Sequence, residues 1–98
     1  MIQSDVMELK FFESPTCPDC PAAKKNVKEV LTKYNLLDSL KFFDISTDDG
    51  RIESLNCMVM GSPTLVIDEE IITKDVLLDA RKLENEIKKR IEYTHALV

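Results

Sequence analysis

The chain has 98 residues, 44% of them hydrophobic, and its 13 basic and 18 acidic side chains leave a net charge of −5. That is apolar content for one small core, too much for a disordered chain, with residues 1–98 read as a single domain whose core spans about 6–93. The acidic balance and the lack of a basic run argue against nucleic acid or an anionic membrane surface as partner, and no stretch approaches the roughly 20 apolar residues of a membrane span.

Met1 to Asp5 reads as a loose lead-in with no basic region followed by an apolar one, so no signal peptide is expected and the compartment is expected to be cytoplasmic. Val6 to Glu13 reads as a strand, and the adjacent Phe11 and Phe12 suit one covered on both faces. Pro15 breaks it, because proline has no N–H for a ladder. Cys17-Pro18-Asp19-Cys20 follows. Two cysteines at this spacing can close a small disulfide ring or offer two thiolates to a metal. In a reducing compartment either reading is favoured over a structural staple. Three cysteines also cannot all pair within one chain.

From Pro21 to about Asn35, Ala23, Val27, Val30, Leu31 and Tyr34 recur at steps of three and four, which predicts a helix. Lys24, Lys25 and Lys28 fall on its solvated face, and Thr16 or Asp19 can cap its start. Leu40 to Ile45 is a second apolar strand, so a βαβ unit with parallel strands is expected. Asp48 or Asp49 can cap a short helix carrying Ile52 and Leu55. Gly61-Ser62-Pro63-Thr64 is a turn into the strand Leu65-Val66-Ile67, and Asp68-Glu69 leads into Glu70 to Thr73 as a hairpin. Asp75 to Tyr93 reads as one long amphipathic helix with Val76, Ala80, Leu83, Ile87 and Ile91 as its stripe and Glu84–Lys88 and Glu86–Arg90 as i,i+4 pairs. The order β-α-β-α-β-β-α makes an α/β fold, a four-stranded mixed sheet with helices on both faces.

A strand, Cys17-Pro18-Asp19-Cys20, a helix and, about forty residues later, Gly61-Ser62-Pro63-Thr64 entering an apolar strand together resemble the thioredoxin/glutaredoxin superfamily, over Val6 to Tyr93. The resemblance implies that Cys17 is the exposed nucleophile and Cys20 the resolving cysteine. It implies that Pro63 is a cis-proline facing the disulfide, that Ser62 offers backbone hydrogen bonds to a bound substrate, and that Pro18 and Asp19 belong to the same substrate-binding surface. The residues support those roles: Cys17 precedes a helix whose N-terminal dipole favours a thiolate, and thiols in such motifs have pKa values lowered to about 3.5–7.5. Asp19 puts a negative charge beside the thiols and opposes this somewhat. The activity implied is dithiol–disulfide oxidoreduction on protein or small-molecule disulfides, with a reductase or a low-molecular-weight thiol as electron donor, no cofactor, no metal and a monomeric protein.

Within the superfamily, Cys-Pro-x-Cys resembles glutaredoxins. Those carry an aromatic where Asp19 stands and a Gly-Gly-Asp glutathione-binding segment where this chain reads Ile72-Thr73-Lys74-Asp75. Thioredoxins carry Cys-Gly-Pro-Cys after a Trp, and a buried acid where Phe11 stands; this chain has no Trp. The pattern suits a small redoxin served by a thioredoxin-reductase-type donor and not by glutathione.

The rival is a non-catalytic module that binds a metal, an iron–sulfur cluster or a partner. Zinc wants four ligands, and only Cys57 and His95 could join the pair unless a dimer shares four thiolates. Cys57 otherwise reads as a small buried apolar residue and His95 as a solvated tail residue. Asp44 to Gly50 looks like a calcium loop but has Asp49 and Leu55 where its Gly and Glu belong. Phe11, Phe12, Phe42 and Phe43 are core by pattern.

Overall fold

The computed structural model describes residues 8–96, with side chains as far as residue 91; the lead-in at 1–5, the strand start at Val6 and the His95 side chain lie outside that range. The elements are β1 (Leu9–Glu13), α1 (Cys20–Lys33), a 3-10 turn (Leu37–Ser39), β2 (Leu40–Asp44), α2 (Asp48–Asn56), β3 (Thr64–Ile67), β4 (Glu70–Ile72), α3 (Lys74–Leu77) and α4 (Ala80–Ala96). Among the described residues no helix is long and apolar enough to cross a membrane.

The sheet runs β2-β1-β3-β4. β1 pairs in parallel with β2, with Phe11 opposite Phe42, and antiparallel with β3, which closes an antiparallel hairpin with β4. The mixed sheet and the hairpin expected from the sequence are both present. Asp68 makes the hairpin turn at φ 58°, a left-handed conformation that aspartate tolerates better than most residues. Its carboxylate accepts from Glu8 N–H at 3.0 Å and its own N–H donates to the Glu8 carbonyl at 2.8 Å, so the turn is also tied to the start of β1.

Central β1 is covered on both faces. Leu9 and Phe11 enter the larger core with Val27, Leu31, Leu83 and Ile87 of α1 and α4. Phe12 enters the smaller one with Val59 and Val66, flanked by Phe43, Ile45 and Cys57. The period of two along a strand sends these neighbours to opposite sides, so helices lie on both faces, as expected.

Four details depart from the sequence reading. The long C-terminal helix is two helices, because Asp79 accepts from the N–H groups of Arg81 and Lys82 (3.1 and 3.2 Å) and starts α4 afresh. Leu77, fully buried, anchors the four-residue α3, while Ala80 is exposed. A helix that short does not form alone, so packing holds it: one buried leucine is worth about 1.5–3 kcal/mol. Second, Phe42 is 40% exposed, since β2 is the edge strand and its outer part has no neighbour; Lys24 and Lys28 lie over the ring at 4.8 and 5.7 Å. Third, Thr47 caps α2, accepting from Gly50 N–H at 3.0 Å, and Ile52 and Leu55 face outward while Gly50 and Ser54 are its buried residues. Fourth, Glu84 turns to Lys33 at 2.7 Å and to the Tyr34 hydroxyl at 2.9 Å, joining α4 to α1 instead of pairing with Lys88. Glu86–Arg90 does form, at 2.8 Å, and Arg90 also reaches Glu70 of β4.

Candidate active site

The two cysteines stand where β1 hands the chain to α1. Cys17 N–H donates to the Ser14 carbonyl at 3.1 Å, which turns the chain after β1. Cys20 is the first residue of α1, and Pro21 follows it, in the first turn where its missing N–H costs no hydrogen bond. Cys17 and Cys20 are disulfide-bonded with Cα atoms 5.4 Å apart. Cys20 is buried (3% exposed), Cys17 is half-buried and Pro18 is exposed, so an approaching molecule meets Cys17 first.

Asp19 occupies the position before the helix but does not cap it: its side chain makes no hydrogen bond to the helix N–H groups, and neither does that of Thr16, which pairs with Ser14. The Asp19 carboxylate lies instead 3.5 Å from Lys74 Nζ, at the start of α3. In β1, Phe11 is fully buried, so no ionisable group stands at that point of the strand. At the rim, Lys24 of α1 pairs with Glu13 at 3.3 Å.

The Ser62–Pro63 peptide bond is cis, as the resemblance implies, and Pro63 is buried. Thr64 Oγ1 donates to the Gly61 carbonyl at 2.8 Å and fastens this loop to β3. A groove of about 340 Å³ lies beside it, lined by Met58, Met60, Ser62, Pro63, Ile71 and Lys74. Met60 is 96% exposed and Met58 77%. The sequence reading named Ser62 and Pro63 and set Thr73 and Lys74 at a ligand-binding turn, but missed Met58, Met60 and Ile71. The signal the sequence offers is an apolar Met60 directly before Gly61-Ser62-Pro63.

Cys57 lies elsewhere. It is partly, not fully, buried at the end of α2, because its sulfur faces polar neighbours: Lys10 Nζ and Glu53 Oε2 are each 3.7 Å away. These three side chains line a cavity of about 400 Å³ that also reaches Asp68, at the opposite end of β1 and β3 from the cysteine pair. Among the described residues, no three His, Cys, Asp or Glu side chains converge as a metal site.

The sequence profile of the thioredoxin domain matches residues 7–88. This chain belongs to the thioredoxin family. A probable thioredoxin of Archaeoglobus fulgidus is 34% identical over 87 residues, which cover 87% of this chain and 93% of the relative. A thioredoxin of Methanocaldococcus jannaschii is 34% identical over 90 residues, covering 87% and 96%. The crystal structure of a germline-specific thioredoxin of Drosophila melanogaster superposes with a TM-score of 0.63 at 20% identity, covering 88% of this chain and 82% of that one, and shares the fold. With a Cys17–Cys20 pair that closes as a disulfide, this thioredoxin-family protein is a dithiol–disulfide oxidoreductase.

Proposed function

We propose that the protein reduces disulfides with Cys17 as the attacking thiol and Cys20 as the resolving one. The observation that carries the assignment is the unequal burial of the two sulfur-bearing residues in one ring. In the reduced protein the Cys17 thiolate attacks one sulfur of a substrate disulfide. The substrate S–S bond breaks, one substrate thiolate leaves, and a mixed disulfide remains on Cys17. The Cys20 thiolate then attacks the Cys17 sulfur and expels the second substrate thiolate. Two electrons have passed to the substrate, and the Cys17–Cys20 ring is closed until a donor reopens it.

The substrates of this reading are disulfide-bearing proteins docked by an extended segment against Pro18, Asp19, Ser62 and Pro63. The donor is a thioredoxin-reductase-type protein or a low-molecular-weight thiol other than glutathione, and the protein works as a cytoplasmic monomer of one domain. The thioredoxin names of its relatives support disulfide substrates and a reductase donor in general.

Insulin disulfide reduction with dithiothreitol, comparing wild type with Cys17→Ser, tests the activity; equal rates overturn it. Cys20→Ser should accumulate mixed disulfides with substrate proteins and Cys17→Ser none, and the opposite result reverses the two roles.

A further inference from the structure

Asp19 sits inside the Cys17–Cys20 ring, at the residue from which an aspartate ordinarily caps a helix by accepting from its first free N–H groups. Its carboxylate is not used that way. It reaches across to Lys74 Nζ, 3.5 Å away on a different element. The same helix end is where a Cys17 thiolate gains its stabilisation, from unpaired N–H groups and the positive end of the dipole. Cys20 N–H donates to the Cys17 carbonyl at 3.4 Å and Pro21 has no N–H, so donors are few at this helix start; an Asp19 carboxylate turned inward would compete with the thiolate for them and for the dipole, and Lys74 holds it away. Lys74 also lines the groove beside Pro63, so one side chain borders both the ring and the surface in front of the cis-proline.

We propose that Lys74 is a positioning residue for the redox pair: by holding the Asp19 carboxylate it keeps the start of α1 free for the Cys17 thiolate and offsets the negative charge placed between the two thiols. The inference rests on Cys17 being the attacking thiol. It differs from a plain charge effect in one respect. The influence of Lys74 passes through Asp19, so removing Asp19 removes it. Both side chains are about half exposed (56% and 42%), so the effect is a rate modulation and not a switch.

The experiment is iodoacetamide alkylation of the fully reduced protein at pH 7 and low ionic strength, with the labelled cysteine identified by mass spectrometry. Lys74→Met should slow labelling of Cys17 about 2- to 4-fold, the size an exposed pair commands. Lys74→Arg should keep the wild-type rate. Asp19→Asn should label faster, and adding Lys74→Met to it should change the rate little, because the two substitutions are coupled. Equal slowing by Lys74→Met with and without Asp19 overturns the proposal in favour of a direct charge effect, and so does no slowing in the otherwise wild-type protein. Faster labelling of Cys20 than Cys17 in the wild type instead overturns the assignment of roles, which separates the two readings without any disulfide substrate.

Discussion

Lys10 Nζ lies 2.6 Å from Glu53 Oε2, joining the central strand to α2 beside the Cys57 sulfur. Lys10 alternates with Leu9 and Phe11 along β1 and emerges on the side of the smaller core, where only a quarter or less of either side chain is exposed. The hydrogen bond from Lys10, working against burial, holds the Glu53 carboxyl below the usual glutamate range, and the same bond holds the Lys10 ammonium above the usual lysine range. Glu53→Gln should therefore lower stability by about 1–2 kcal/mol near neutral pH, since it leaves a largely covered lysine side chain with a weaker partner.

The sign with pH follows from both directions. A carboxyl whose folded pKa is depressed contributes fully above its ordinary value, about 4.3, and its contribution disappears as pH falls through the lower folded value. A raised lysine contributes fully below its ordinary value, about 10.4, and loses its contribution as pH rises through the higher one. The gap between wild type and Glu53→Gln in urea unfolding should be flat across neutral pH and close below about pH 4. A gap that is absent at pH 7 shows that the pair contributes nothing.

Cys57 should be a slower thiol than Cys17. Burial is the main influence on it and pushes the thiol up; Lys10 pulls it down, and Glu53 pushes it up again. A thiol above the ordinary range is almost wholly protonated at neutral pH, and the thiolate is the reactive form. Alkylation at pH 7 should mark Cys57 after Cys17, and Cys57→Ala should leave insulin reduction unchanged. Labelling of Cys57 ahead of Cys17 contradicts the ranking.

Gly50 tests the entry to α2. A glycine in a helix ordinarily costs about 1 kcal/mol against alanine, so Gly50→Ala would stabilise an isolated helix. Here an added methyl group would fall on the Asp44 carbonyl, a backbone atom that also accepts from the Thr47 hydroxyl at 2.7 Å. Overpacking against backbone typically costs about 1–3 kcal/mol, so the clash wins and Gly50→Ala should destabilise. Circular-dichroism melting measures it: a melting temperature at or above that of the wild type shows that the β2–α2 turn can yield. The same turn explains the calcium-like spacing at Asp44 to Gly50. Asp44 accepts from the N–H and hydroxyl of Ser46 at 2.8 and 2.6 Å, and Thr47 caps the helix, so these polar residues build a turn.

What was legible in the chain was local. Phe11-Phe12 announced a doubly covered strand, the stripe Ala23, Val27, Val30 and Leu31 announced α1, and all of them are buried. Cys17, Cys20 and Pro63 lie at fixed offsets from those elements and were legible with them. Strand order was not: Phe42 repeats the pattern of Phe11, yet only the sheet's edge position leaves it half uncovered. Leu77 escaped because Val76 and Ala80 fit a helical stripe that Asp79 interrupts. Lys10–Glu53 and Asp19–Lys74 join residues 43 and 55 apart, and no period or spacing reports such pairs.

The electron donor is the last matter the groove bears on. Glutathione is an anionic tripeptide, and its binding turn in glutaredoxins relies on glycines, which let the backbone come close because they lack Cβ. At that place this protein has Thr73, Lys74 and Asp75, all exposed, with Lys74 lining the groove and drawn toward Asp19. Side chains occupy the approach, the Lys74 ammonium is already paired with Asp19, and the carboxylates of Asp19 and Asp75 add negative charge beside an anionic ligand. We therefore expect slow turnover with glutathione and glutathione reductase and faster turnover with a thioredoxin reductase or dithiothreitol, measured side by side on one disulfide substrate. Glutathione-dependent turnover as fast as that with dithiothreitol would show that the glycines are dispensable and that the groove admits the tripeptide past Lys74.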